Sequence, residues 1–204
     1  SAYNFYALLN RYPVLFGLSD QRFDWVPSWA DGFPTDFVQE GDVWTATVKV
    51  QSGATWSDGV AITADDFAFT INTALELELP GNWASIVDPN VVDHAEVIEA
   101  TTMKLYIKSV PGLSRWQYGV SGAIGVAKHF WEPLVQQAKD SSDVLTEQVA
   151  ALLAIVPENE PTAGEMVFVK WEAGAFVEVE ANDRYFFKDS EVTEYANGAY
   201  LEEG

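Results

Sequence analysis

The side chains able to do covalent or metal chemistry are few here, and their spacing does not assemble a site. The two histidines, His94 and His129, lie far apart with no His-Glu-x-x-His frame around either. Asp93 beside His94 and Glu132 near His129 are the nearest ligand pairs; read plainly, these are a solvated strand residue and a helix-start residue. Asp88, Asn90 and Asp93 fall short of a calcium loop, which needs more oxygen ligands and a glycine at its turn. There is no cysteine, which removes thiolate nucleophiles, disulfides and every Cys-based zinc or iron–sulfur centre. Ser121, in Gly119-Val120-Ser121-Gly122, does not satisfy the G-x-S-x-G nucleophile elbow, and no G-K-[ST] follows Gly122 to Gly125 to make a phosphate loop. With 31 Asp and Glu, neighbours such as Asp65/Asp66 and Glu202/Glu203 arise by chance, and the first pair suits a helix N-terminus. No catalytic set, metal or cofactor is expected.

Aromatic residues are the remaining signal: 8 Trp, 8 Tyr and 12 Phe. Trp83, Trp116 and Tyr118 fall in or beside predicted loops, whereas Trp44 and Trp171 fit strand faces. Loop aromatics suit the lining of a cleft because they bury much area at little entropic cost; the alternative is that they plug core edges. A binding protein is therefore favoured over an enzyme. Charge narrows the partner. Against 31 acidic residues stand 11 Lys and Arg, a formal charge of −20 that repels nucleic acid and favours solubility. The apolar fraction of 48% is enough for a core and excludes disorder, and 204 residues allow one domain or one and a fraction. No apolar run approaches the roughly 20 residues needed to span a bilayer. Ser1 to Tyr6 has neither the basic nor the apolar region of a signal peptide, so none is expected within this sequence.

Several elements must hold these residues. Residues 43–50 alternate, with Trp44, Ala46, Val48 and Val50 on one face of a predicted strand. Trp56-Ser57-Asp58-Gly59 is a tight turn, and Thr63 with Asp66 reads as a capping box opening a helix that stops at Pro80-Gly81. Residues 92–98 and 103–108 pair as strands, the glycine-rich run Gly119 to Gly125 leads into a helix near 127–139, and a second helix covers 143–156. That second helix sets Val144, Leu145, Val149, Leu152, Leu153 and Val156 along one stripe. Pro157 to Pro161 reads as a linker, 166–171 and 176–181 as a hairpin, and the tail from Asp189 as polar and weakly patterned. The class is α/β, a mixed sheet with flanking helices.

Val43 to Val48, then Ala54-Thr55-Trp56-Ser57-Asp58-Gly59, then Ile62-Thr63-Ala64-Asp65-Asp66-Phe67 together resemble the signature of the family 5 extracellular solute-binding proteins. These are the oligopeptide-, dipeptide- and nickel-binding components of bacterial ABC importers. Leu15 to Leu18 with Trp25 to Ala30 is similar to the family's early stretch. Ala127 to Glu132 resembles its P-K-H-x-W-E helix start, and Pro161 to Tyr185 its G-T-G-P-Y hairpin ending in N-x-x-Y. Two departures stand out. Thr162-Ala163-Gly164-Glu165-Met166 lacks the Pro-aromatic pair, and Val126-Ala127 replaces Leu-Pro before Lys-His.

The resemblance runs from about residue 10 to 187 and implies part of a two-lobed, class II-like periplasmic-binding fold. It implies residues 1–34 and 158–204 as portions of the first lobe, 35–157 as a small inserted subdomain, and a second lobe belonging to a longer parent chain. The implied function is extracytoplasmic capture of a peptide-like solute, periplasmic or membrane-anchored, for delivery to an ABC permease. Asn4, Tyr6, Trp116 and Tyr118 are the expected ligand contacts, while Trp56, Asp58, Gly59, Thr63 and Asp66 are assigned to architecture. A carbohydrate-binding module with a Trp/Tyr stacking platform is the alternative.

Overall fold

The computed structural model describes residues 11–18, 25–112, 116, 119, 123–172, 174–189, 191–194 and 200–203. Two short strands, β1 (Phe16–Leu18) and β2 (Trp25–Pro27), pair antiparallel at the start. The main sheet follows: β3 (Val38–Glu40), β4 (Val43–Lys49), β5 (Val92–Glu99) and β6 (Thr102–Ile107), in the order β3-β4-β6-β5. Alternation sets its register, with Ala46 opposite Leu105 and Val48 opposite Met103, all four buried on one face. Every pairing among the described strands is antiparallel, not the mixed sheet expected from the sequence. For two of the pairs in the main sheet the connections explain this: Gly41-Asp42 joins β3 to β4 and Ala100-Thr101 joins β5 to β6, loops too short for a parallel crossover.

Helix α1 (Ala64–Glu76) lays Phe67, Ile71 and Ala74 on the buried face of this sheet. Its neighbour is a single turn, α2 (Trp83–Ile86), which sets Trp83 beside the loop that precedes it. Helices α3 (Lys128–Asp140) and α4 (Leu145–Leu153) pack on each other. The first matches its expected span. The second is shorter than expected, and its stripe narrows to Leu145, Val149 and Leu152. Val144 and Leu153 sit about 100° and 80° off that stripe at 3.6 residues per turn, and both are exposed. Val156 would have rejoined the stripe, but the helix has ended and it is 87% exposed.

The hairpin of β7 (Met166–Glu172) and β8 (Phe176–Ala181) forms as expected, turning through Gly174 at φ +79°. The tail departs from expectation: β9 (Glu191–Glu194) and β10 (Tyr200–Glu203) pair antiparallel, a pairing that the weak hydrophobic pattern of these residues does not announce. Segments distant in sequence are sewn to the sheet region by backbone bonds. Val14 bridges Ile124, Ala30 bridges Val50, and Ala163 N–H donates to Arg11 O at 2.8 Å.

Candidate functional site

Turn Trp56–Gly59 and the start of α1 work as a clamp. Trp56 is fully buried, and Gly59 holds φ +90° with the Arg184 guanidinium 3.5 Å from where a Cβ would lie. Ser57 exchanges two bonds with Thr162, its N–H to the carbonyl at 2.8 Å and its Oγ from the Thr162 N–H at 3.0 Å. Asp58 accepts the Val60 N–H at 3.1 Å through one oxygen and shares a 2.7 Å hydrogen bond with His129 Nε2 through the other.

Asp66 completes the clamp. As the expected capping-box residue it accepts the Thr63 N–H at 2.8 Å; its second oxygen accepts the Lys128 N–H, the first of α3, at 2.9 Å. One buried carboxylate thus ties two helix N-termini together. Burial pushes its pKa up, opposed by these backbone donors. The Lys128 ammonium meanwhile pairs with Asp65 at 2.7 Å, which raises its pKa. Gly125, the last of the glycine-rich run, lies against Phe67, whose ring stands 3.0 Å from a would-be Cβ. These motif residues hold elements together, as their assignment to architecture anticipates.

A second junction was not foreseen. Glu160, read as part of a linker, is buried and accepts three side-chain donors: Arg11 Nη2 at 2.9 Å, Tyr12 O–H at 2.8 Å and Trp131 Nε1 at 2.7 Å. It joins the chain entering β1 to α3 and to the strand that begins the hairpin. Burial, and then the Glu160 charge, push the Tyr12 hydroxyl well above its ordinary pKa, so Tyr12 stays a neutral donor. Nothing in the sequence separates Glu160 from the other acidic residues.

Beside this junction opens a cavity of about 290 Å³, walled by Tyr12, Thr70, Trp83, Ile124, Trp131 and Leu152 among others, and mostly apolar. A larger groove, about 450 Å³, runs between α1 and α3. Its cations are spoken for, Lys128 by Asp65 and Lys139 by Glu76. Among the described residues no group of three or more His, Cys, Asp or Glu is placed to hold a metal ion.

Of the expected ligand contacts, Asn4, Tyr6 and Tyr118 lie outside the described residues. Trp116 is 8% exposed, edge-on to Phe37 at 4.8 Å between ring centroids and 6.5 Å from Trp25. Trp25 continues the aromatic chain to Phe16 and to the half-exposed Phe33. The structure thus groups Trp116 with residues near the start of the main sheet and not with the Glu160 junction. Trp171, on a strand as expected, is 60% exposed.

The fold has clear counterparts. An oligopeptide-binding protein from Thermus thermophilus, complexed with a pentapeptide, superposes with a TM-score of 0.71 at 18% identity, covering 91% of this chain and 34% of that one. AppA from Bacillus subtilis, in complex with a nonapeptide, gives 0.67 at 20% identity, covering 87% and 31%. A periplasmic oligopeptide-binding protein from Thermotoga maritima with bound mannohexaose gives 0.61 at 19% identity, covering 95% and 32%. The chain spans about a third of the length of these proteins. No curated protein matches its sequence. Residues 25–200 do match a family description, Bacterial extracellular solute-binding proteins, family 5 Middle, a stretch that contains the whole clamp from Trp56 to Asp66. With most of its length accounted for in this way, the chain belongs to the family 5 bacterial extracellular solute-binding proteins.

Proposed function

We propose that the chain is part of the extracytoplasmic solute-binding component of an ABC importer and helps capture peptide-like solutes for a membrane permease. The observation that carries this is the family match over residues 25–200, on a fold whose family-like residues hold elements together and leave a cavity beside them. Among the described residues no helix is long and apolar enough to cross a membrane.

In this reading residues 1–34 and 158–204 are portions of the first lobe, 35–157 are the inserted subdomain, and a second lobe of a longer chain closes over the ligand. Asn4, Tyr6, Trp116 and Tyr118 are the proposed ligand contacts, Trp116 offering only the small edge its burial leaves. Main-chain bonds from an extended peptide would supply affinity, and side-chain pockets the selectivity. Lobe closure would signal the loaded state to the permease.

The mannohexaose complex among the structural counterparts favours one second reading, an oligosaccharide ligand. Calorimetric titration of tri- to pentapeptides and of manno-oligosaccharides separates the two, with the 204 residues alone and with a two-lobed protein containing them. Peptides are expected to bind the two-lobed protein, and the 204 residues at least 100-fold more weakly, since half a cleft buries far less of the ligand. Binding of oligosaccharides with no response to peptides overturns the peptide reading.

A further inference from the structure

We propose that the cavity beside the Glu160 junction is a pocket for one bulky apolar side chain, between leucine and tryptophan in size. On the solute-binding reading above, which this preference rests on, the captured peptide would carry such a residue. Size comes first. An apolar cavity of about 150 Å³ takes a benzene ring, and drug-sized ligands need roughly 300–1,000 Å³. At about 290 Å³ the space suits a single branched or bicyclic side chain and is too small for a whole peptide.

Wall chemistry sets the class. Of the hydroxyl and indole groups in the wall, those of Tyr12, Trp131 and Thr70 are already spent on the protein, which leaves the Thr73 hydroxyl and the Trp83 N–H as the polar exceptions. Tyr12 O–H and Trp131 N–H both donate to Glu160, and Glu160 is neutralised by Arg11. Thr70 Oγ1 donates to Asp66 O at 2.7 Å and accepts the Val126 N–H at 3.0 Å. A polar group entering here would lose its water with little in exchange, whereas an apolar one gains contact with Trp83, Ile124, Val135 and Leu152. At the lining's exposed end Leu153, 62% accessible, adds an apolar lip. The groove between α1 and α3 lacks this character, because charged pairs cross it. The pocket is also assembled from segments far apart in sequence, residue 12, α1, α2, residues 124–126, α3 and α4, so no local motif announces it.

The test titrates indole into the 204-residue chain and follows the methyl resonances of Ile124, Val135 and Leu152, with glycerol as the polar control. Saturable shifts of these methyls by indole alone are expected, with a dissociation constant on the order of 1 mM for so small a ligand. Ile124→Phe and Leu152→Phe, which fill the space, should each weaken indole at least ten-fold without lowering the melting temperature. Absence of saturable shifts up to 10 mM indole in the unmodified chain overturns the pocket (about ten times the expected constant). So does indole binding that neither filling variant reduces. The peptide preference is read separately, in a two-lobed protein containing the chain, by comparing Ala-Trp-Ala with Ala-Ala-Ala. Tighter binding of the tryptophan peptide supports it. Equal affinity overturns the preference while the solute-binding reading stands; no peptide binding at all strikes that reading instead, and the indole result still decides the pocket.

Discussion

Asp66 and Glu160 are both buried carboxylates, yet they hold the molecule by different means. Asp66 accepts backbone N–H groups at two helix starts, and burial raises its pKa against these donors and the nearby His129. A carboxyl group whose pKa is higher folded than unfolded binds more protons in the native state. Its contribution therefore grows as pH falls through the raised value towards 3.8, and is lost as pH rises through it. Asp66→Asn removes this dependence. The stability of the unmodified protein relative to the variant is expected to increase between neutral pH and pH 4, as measured by urea unfolding (pH limits approximate); a constant difference would remove Asp66 from the acid response. Glu160 instead faces a cation and two neutral donors. Glu160→Ala strands the Arg11 guanidinium and leaves Tyr12 and Trp131 without their acceptor, and a loss of about 3–5 kcal/mol is expected in the same measurement. A loss below about 1 kcal/mol, the worth of an exposed pair, would show that water replaces the carboxylate.

Among elements, the β7–β8 hairpin has little cover, the Arg11 guanidinium over the Phe168 ring being part of it. Its register places Met166, Phe168, Trp171, Val177 and Val179 on one face, because a bulge at Val169 shifts the phase of β7 by one residue. Without that bulge Lys170 and Glu172 would share the face with Met166 and Phe168. All five apolar residues are exposed, in contrast to the buried face of β4 and β6. Two strands without a covered face are marginal on their own. Amide exchange in β7 and β8 is therefore expected to be orders of magnitude faster than in β4 and β6, and Trp171→Ser to change stability by no more than about 0.5 kcal/mol. Exchange as slow as that of the main sheet would mean the hairpin is covered in solution. The hairpin itself is legible from alternating residues around a glycine turn; the bulge is not, because both phases of M-V-F-V-K-W-E give plausible faces.

The whole molecule carries 31 acidic and 11 basic residues, so even complete pairing would leave 20 carboxylates without a cation. Their mutual repulsion acts against the compact state and is screened by salt. Between 0.1 and 1 M NaCl the Debye length falls from about 10 Å to about 3 Å. The melting temperature is expected to rise by several degrees over that range, about 1–2 kcal/mol in a chain of this size. Scanning calorimetry in buffered NaCl reads this directly, and a flat or falling melting temperature would mean that attractive pairs such as Arg11–Glu160 outweigh the diffuse repulsion.

Features that depend on neighbours along the chain are legible in the residues alone. Alternation in β4 and β6, the capped start of α1 and the Asp-Gly turn all follow from residues a few positions apart, and the family likeness rests on these same runs. Composition settled the acidic surface and the absence of cysteine chemistry in the same way. Long-range packing makes Glu160 a buried acceptor and not a solvated one, sets Trp116 in an aromatic cluster, and brings Tyr12, Trp83, Ile124 and Trp131 around one cavity. Each of these depends on segments that meet across more than 20 positions of sequence, and at that distance it is packing and desolvation, not local propensity, that choose a side chain's partner.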